Sequence, residues 1–258
     1  MTVARSGRTI LSDLSATLSA FKAIFIDGIR RRYTHRQAYG PAAPDPFGLI
    51  NIDPAAVEYV LAPQFQSSRS RWGTYIIDGD WDRTQRADEL VFAGCYEPEF
   101  TEKTRRAVPF ESYVLYQSCR AHFERGVAWE ETKFYDWLME PRTRPVARYE
   151  TAEAVKSRLA ALDELYEKMK HDGYKSQAEL GTSRLKPDAY DEVLVNIGRD
   201  GQFILEDGRH RLTLAKIIGL ESIPVRVFVR HPDWQQRRMA SLDGTLPEPL
   251  DHPDLRGL

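Results

Sequence analysis

Three cations follow an acidic-glycine pair in one short stretch of the chain, which reads Asp207, Gly208, Arg209, His210 and Arg211. The apolar residues after it recur at helical spacing as far as Ile218, so the sequence predicts the three cations in the first turn of a helix. The amino end of a helix carries partial positive charge, so each cation there costs about 0.3–1 kcal/mol unless an anion is present. A bound phosphate turns that cost into attraction. We call this stretch the basic turn, and we interpret it as a phosphate site.

The basic turn also has an interpretation without a ligand. Arg209 and Arg211 could pair with nearby carboxylates such as Asp207, which contributes little to stability in either direction. With a phosphate, Gly208 would let the backbone approach the ligand closely and Arg211 would offer a bidentate fork. His210 could then donate to the phosphate, carry a proton, or only stabilise the turn.

The elements predicted around the basic turn are a hairpin, a last strand and a long helix. The strands are expected at Val193 to Ile197, Phe203 to Leu205 and Ile223 to Val229. Asp200-Gly201 is typical of a hairpin turn between the first two strands. The longest helical pattern runs from Thr151 to His171, with Gly173 as its C-cap.

The first half of the chain shows shorter patterns. Prolines between residues 39 and 46 mark a linker or an extended arm. The remaining predicted elements are two strands, a brief helical turn and two helices, at Leu49 to Pro54, Thr74 to Ile77, Ala55 to Leu61, Ser112 to Arg125 and Trp129 to Met139. The tail from Pro232 is rich in proline and charge, which predicts loose order.

Composition restricts the partners and the location of the protein. The 258 residues include 36 basic and 38 acidic ones, and the net charge of -2 gives no general attraction to nucleic acid or to an anionic membrane. No stretch approaches the length of a membrane span or has the core of a signal peptide. In such a chain Cys95 and Cys119 favour a reducing compartment and buried thiols over a disulfide. We therefore expect a cytoplasmic protein and no nucleic-acid partner.

An amphipathic helix is predicted near the N-terminus, where apolar residues recur at Leu11, Leu14, Leu18, Phe21 and Phe25. Arginines follow at Arg30, Arg31, Arg32 and Arg36. Such a helix can pack on its own domain, on a second subunit of a homodimer, or on a membrane surface. The sequence leaves these alternatives open.

The order of helix, glycine, strand, hairpin, strand, basic turn, helix and strand resembles the nucleotide-binding domain of the ParB and sulfiredoxin superfamily. The resemblance covers roughly Ala152 to His231. It implies that the loop Tyr174-Lys175-Ser176-Gln177 touches a nucleotide, with Gln177 among the binding residues, and that the basic turn holds its phosphates. Ile223-Pro224-Val225-Arg226-Val227 is similar to the strand that follows the phosphate helix. The strand at Leu49 to Pro54 could supply the first strand of that fold.

Members of the superfamily differ at the basic turn. ParB proteins, which bind CTP, carry glycine, glutamate and two arginines, so only Gly208 and Arg211 match. Sulfiredoxins place a catalytic cysteine where this chain has Arg209, which excludes their thiol chemistry because arginine cannot attack as a thiolate does. The free-serine kinases match at Asp207, Gly208 and Arg211, with His210 displaced by one residue. Of these branches, the free-serine kinases are the one whose chemistry we expect this chain to resemble most.

Phosphoryl transfer also needs carboxylates and a metal. Asp78, Asp80 and Asp82 alternate along an extended segment and could hold Mg²⁺, although a solvated loop with Trp81 in the core is the competing interpretation. Asp80 would then be a catalytic candidate. Asp53 and Glu58 follow the predicted first strand, at the position where the related kinases keep their catalytic acid.

The sequence thus predicts an α+β protein with a ParB/sulfiredoxin-like mixed small sheet, flanking helices and a mostly helical N-terminal extension or insertion. Its expected parts are an N-terminal helix and arm (residues 1–46), first strands with a helical insertion (47–150), the nucleotide-binding core (151–231) and a flexible tail (232–258). The expected function is binding of ATP, ADP or CTP with Mg²⁺ and phosphoryl transfer to a small hydroxyl-bearing metabolite. The alternative is a ParB-like, nucleotide-responsive binding or regulatory module that acts on DNA or protein without catalysis.

Overall fold

The computed structural model describes residues 28–62, 64–69, 73–85, 106–140, 151–181, 192–256 and 258. Its strands are β1 (Leu49–Ile52), β2 (Val57–Ala62), β3 (Tyr75–Ile76), β4 (Arg106–Pro109), β5 (Val193–Ile197), β6 (Phe203–Asp207) and β7 (Ile223–Arg230). Residues 28–39 are helical and form α1. The other helices are α2 (Val114–Arg125), α3 (Lys133–Met139), α4 (Ala152–Asp172), α5 (Gln177–Leu180), α6 (Arg209–Ile218) and α7 (Pro232–Leu242). The described chain therefore has the predicted α+β class.

One mixed sheet contains all these strands, in the order β1-β7-β5-β6-β2-β4, with β3 beside the end of β7. The predicted hairpin of β5 and β6 is antiparallel, and β5 lies parallel to β7. From the first half of the chain, β1 pairs antiparallel with β7 and β2 pairs parallel with β6. Strands from both halves of the chain thus share a single sheet, and every residue of the central strand β5 is buried.

Helices cover one face of the sheet. Alternate residues of the strands, among them Val195 and Val227, point to this face and share a core with Leu159 of α4 and Leu212 of α6. The strands have a period of two and α4 has a period of 3.6 residues, and these patterns predict the elements. The predicted helix is confirmed as α4, which the Thr151 side chain caps and Gly173 ends.

The other face of the sheet is covered mainly by irregular chain. Leu194 and Phe228 point to this side and form a second core with Phe65 and Trp81. Trp81 is 4% exposed, in agreement with the interpretation of the 78–82 segment as a loop with a core tryptophan. The two faces therefore have different covers, and the basic turn belongs to the helical side through α6.

Two strands differ from the sequence prediction. The brief helix expected from Ala55 to Leu61 is only a 3-10 turn at Pro54–Ala56, after which β2 begins. Strand β2 lies between β6 and β4, so pairing with distant residues decides its conformation. Strand β4 is an element that the sequence does not predict, and the strand expected from Thr74 to Ile77 is reduced to the two residues of β3.

The tail also differs from its prediction, because it forms α7 and packs on the sheet. Pro232 occupies the first turn of α7, where its missing N–H is not needed, and Trp234 is completely buried. Further along, the buried Asp254 carboxylate accepts hydrogen bonds from Arg230 Nη2 at 2.5 Å and from Trp234 Nε1 at 2.9 Å. Arg238 pairs with the same carboxylate at 2.8 Å. The charged residues that predicted a loose tail thus include the buried ion pairs that hold the tail on the domain.

Several expectations for the first half fall outside the described residues. These include the apolar positions of the N-terminal helix from Leu11 to Phe25 and the side chain of Cys95. Cys119 is a buried free thiol, and burial raises its pKa. In α1, Ile29 and Tyr33 are exposed. Within the described residues, no helix has the length and apolar character required to cross a membrane.

Candidate functional site

The basic turn lies where β6 passes into α6. Gly208 is the N-cap of α6 with a φ of 86°, and as a glycine it offers no side chain to cap this end of the helix. A Cβ atom at Gly208 would lie 2.9 Å from the Cα of Val193 on β5. Glycine is therefore required here by the backbone conformation and by the contact with β5, independently of any ligand. The first turn of α6 presents Arg209, His210 and Arg211, as the sequence predicts.

Arg211 is held by a buried carboxylate that the sequence did not single out. Its Nη1 donates to the Tyr174 hydroxyl oxygen at 3.0 Å and to Glu192 Oε2 at 3.3 Å. The Glu192 residue is 2% exposed and precedes β5 directly. The guanidinium of Arg211 is only partly buried, so it keeps access to solvent at the surface of the site.

Glu192 also connects the loop that was predicted to touch a nucleotide. The Tyr174 hydroxyl donates to Glu192 Oε2 at 2.9 Å, and the backbone N–H of Gln177 donates to Glu192 Oε1 at 2.5 Å. Burial raises the pKa of Tyr174, so this phenol stays protonated and remains a donor. The loop at residues 174–177 and the basic turn are thus brought together, with Glu192 between them.

His210 lies against α4. Arg158 Nη2 is 3.1 Å from His210 Nδ1 and 3.4 Å from its Nε2. Arginine has only donors, so a hydrogen bond from Arg158 to this ring needs a ring nitrogen that accepts. The ring also stands 6.5 Å from Phe134 of α3, measured between ring centroids. His210 thus contacts Arg158, a further residue that the sequence patterns did not identify.

Arg209 differs from its neighbours in the first turn. It is partly exposed, and within the described residues its side chain forms no hydrogen bond or ion pair. The alternative of pairing with carboxylates therefore describes Arg211, which pairs with the buried Glu192, but has no support for Arg209 in the described part of the chain. The charges that the structure gathers at this end of α6 are the guanidinium groups of Arg158, Arg209 and Arg211 against the carboxylates of Glu192 and Asp207.

The aspartates proposed to hold Mg²⁺ lie elsewhere, and two of them share the guanidinium of Arg199, whose Nη2 is 2.8 Å from Asp82 Oδ1 and 3.2 Å from Asp80 Oδ1. Asp82 is buried and accepts from Arg199, with its Oδ1 2.8 Å from Nη2 and its Oδ2 2.7 Å from the backbone nitrogen. Burial alone would raise the pKa of Asp82, but the bonds from Arg199 outweigh it and lower the pKa. Asp80 pairs with Arg83 at 2.7 Å, and the Asp78 side chain is 89% exposed.

The position of this aspartate segment separates it from the basic turn. Arg199 and Gln202, which bind Asp82, lie at the hairpin turn before β6, whereas Asp207 ends β6. The five residues of β6 span about 13 Å at 3.3 Å per step. Within the described residues, no group of three or more His, Cys, Asp or Glu side chains is placed to hold a metal ion.

Asp53 and Glu58 are also distant from the basic turn. The Asp53 side chain caps the 3-10 turn by accepting from Ala55 N at 2.7 Å, and Glu58 is exposed on β2. Both raise the pKa of Lys216, although burial outweighs them and lowers it. Because Lys216 is seven residues beyond Arg209 on α6, these carboxylates lie about 10 Å along the helix from the basic turn. The structure therefore brings neither the aspartate segment nor the pair of Asp53 and Glu58 to the predicted phosphate site.

The two missed residues carry weak signals in the sequence. Arg158 stands between Val155 and Leu159 on the apolar side of α4, where a charged residue is uncommon. Glu192 directly precedes the apolar strand β5, so its burial could be suspected from that position. Neither pattern identifies the partner, because both contacts join residues far apart in the chain.

Comparison of the chain with protein-family models, with curated proteins and with solved structures gives no match. The class that fold and site define is an α+β protein whose central hairpin presents a basic turn at the start of a helix. The likeness to the ParB and sulfiredoxin superfamily therefore depends on motif and element order alone.

Proposed function

We propose that this chain is a nucleotide-binding protein whose basic turn holds phosphate groups. The observation that carries the proposal is the first turn of α6, where the N-cap is a glycine without a capping side chain and Arg209 has no partner among the described residues. An uncapped helix start favours anions, and a guanidinium adds a charge-assisted hydrogen bond to a phosphate oxygen. A phosphate would thus offset the electrostatic cost of the cations in this turn.

The loop at residues 174–177 supports the nucleotide part of the proposal. Glu192 holds Tyr174 and the Gln177 backbone beside Arg211. An aromatic ring and backbone groups next to a phosphate site are suited to contact a base or a sugar. A ParB/sulfiredoxin-like fold is part of this proposal. Its support is the order α4, β5, β6, α6 and β7 and the central place of β5 in the sheet.

The test is a thermal-shift titration of the full chain with ADP, ATP and CTP, each with Mg²⁺. A ligand at 100 times its Kd stabilises by about 2.7 kcal/mol, which for a chain of this size raises Tm by roughly 5–10 °C. We expect Arg209→Gln to reduce that shift strongly while leaving the Tm of the free protein unchanged. Lys168→Gln, at an exposed site on α4, is the matched control and should behave as the wild type. Absence of a shift with every nucleotide would refute the proposal.

A second candidate function is phosphoryl transfer from the nucleotide to a small hydroxyl-bearing metabolite. The observation that favours it is the buried carboxylate of Glu192 beside Arg211, since such a group can orient an acceptor hydroxyl. Asp80, Asp53 and Glu58 do not have that position. Transfer screened over serine, sugars and polyols should be lost in Glu192→Gln and retained in Asp80→Asn. Nucleotide binding without any transfer would instead support the non-catalytic, regulatory alternative.

A further inference from the structure

One cation of the site comes from a helix that the basic turn does not include. Helix α4 turns Val155 and Leu159 into the core, and Arg158, beside Leu159, lies at the edge of that buried face. From there its Nη2 reaches His210 in the first turn of α6 at 3.1 Å. Packing of α4 therefore places Arg158 at the predicted phosphate site.

Among the described residues, the guanidinium of Arg158 has no anion beside it. Within the described residues it forms no ion pair, and its buried Nε has no hydrogen-bond partner. A guanidinium carries five N–H donors, and the group that Arg158 contacts is the imidazole ring of His210. A partly desolvated cation without a counter-charge is unfavourable in the free protein, so an arriving anion would be bound there.

We propose that Arg158 is a third anion-binding arginine of this site, and that the site accommodates two linked phosphate groups, as in a nucleoside diphosphate or triphosphate. The inference rests on the proposed function, because it assigns the second phosphate of the same ligand. Successive residues of a helix project about 100° apart, so His210 and Arg211 point to different sides of α6. Arg158 lies on the His210 side and Glu192 on the Arg211 side. One phosphate is held by the basic turn at the helix start, and the phosphate linked to it contacts Arg158.

Isothermal titration of the full chain with inorganic phosphate and with pyrophosphate tests the assignment. We expect the wild type to bind pyrophosphate at least tenfold more tightly than phosphate. Arg158→Gln keeps an amide donor for His210 and removes the charge. It should weaken pyrophosphate binding at least tenfold and phosphate binding less than threefold. Lys156→Gln, at an exposed position on the same helix, is the matched control and should change neither affinity.

The Tm of the free protein separates this role from a structural one. A guanidinium without a counter-anion should leave the Tm of Arg158→Gln equal to that of the wild type or higher, whereas loss of a structural arginine lowers it. If Arg158→Gln fails to fold, Arg158→Lys keeps the charge, loses the planar fork, and should retain part of the preference for pyrophosphate.

Three outcomes would overturn the inference. Unchanged pyrophosphate binding by Arg158→Gln would remove Arg158 from the site and leave the proposed function standing. Equal losses for phosphate and pyrophosphate would overturn its assignment to a second phosphate group. Failure of the wild type to bind phosphate, pyrophosphate, ADP or ATP would refute the proposed function and the inference with it.

Discussion

Removal of the Glu192 carboxylate should destabilise the protein strongly, because three donors depend on it. Its oxygens accept from the Gln177 backbone at 2.5 Å, from the Tyr174 hydroxyl at 2.9 Å and from Arg211 at 3.3 Å. The Glu192 side chain is completely buried, whereas that of Arg211 is 18% exposed. Breaking a buried charge pair costs about 3–5 kcal/mol, and the exposure of Arg211 places Glu192→Ala near the lower limit, at roughly 3 kcal/mol.

The substitution Glu192→Gln separates the charge from the hydrogen bonds. The amide oxygen can still accept from the Gln177 backbone or the Tyr174 hydroxyl, so we expect a smaller loss of about 1–2 kcal/mol. Urea unfolding at neutral pH measures both values, with an unchanged m-value showing that the unfolded state is the same. The exposed Glu164→Ala on α4 is the control and should stay within about 0.5 kcal/mol of the wild type. A loss below about 1 kcal/mol for Glu192→Ala would contradict this account of the buried network.

Two further predictions concern the start of α6 and the tail. Gly208→Ala should lower the free energy of unfolding by about 1–2 kcal/mol because of the positive φ at this position. It should lower it further because the new Cβ would lie 2.9 Å from the Val193 backbone. Gly219→Ala, at a φ of 77° with no atom near its Cβ, is the control, and an equal urea midpoint for the two variants would contradict the close approach to β5. For the tail, burial opposes ionisation of Asp254, but Arg230 and Arg238 lower its pKa from 3.8 to about 2. A carboxyl group whose pKa is lower in the folded state than in the unfolded state stabilises the folded protein at pH values above the unfolded pKa. About 2 kcal/mol of the free energy of unfolding should therefore be lost as the pH falls from 5 to 2. Urea midpoints measured over this range should fall less steeply in Asp254→Asn, and equal slopes would refute the assignment.

The elements predicted correctly are those whose signals are local. The hairpin of β5 and β6 follows from alternating apolar residues on either side of Asp200-Gly201, and α4 follows from its 3.6-residue period and its glycine end. In contrast, the local pattern at β2 predicts a helical turn, which is wrong. The apolar residues of β2 form a strand because they pair with β4 and β6, which lie far away in the chain.

The same distinction applies to the candidate site. The cations of the basic turn are adjacent in sequence, so their spacing alone is enough to group them. Arg158 and Glu192 are 34 residues apart, and only the packing of α4 and the start of β5 brings them to opposite sides of α6. For Asp82, the spacing suggested a metal ligand, but the structure shows an ion pair. A pattern of carboxylates that suits a metal also suits an ion pair. The partner of the buried Asp82, Arg199, could not be identified from spacing alone.

The separation of the carboxylates from the basic turn bears on the choice between binding and catalysis. Phosphoryl transfer requires a metal and an acceptor-orienting group within a few ångströms of the phosphate. Among the described residues, Asp82 lies at the other end of β6 and Asp53 lies beside Lys216, where each carboxylate has a structural role. Among the described residues, the charges at the basic turn are those of three arginines, of Asp207 and of Glu192, whose carboxylate already has three donors. This arrangement is better matched to holding a charged ligand than to moving its phosphate, so nucleotide binding is the stronger part of the proposal and transfer depends on Glu192.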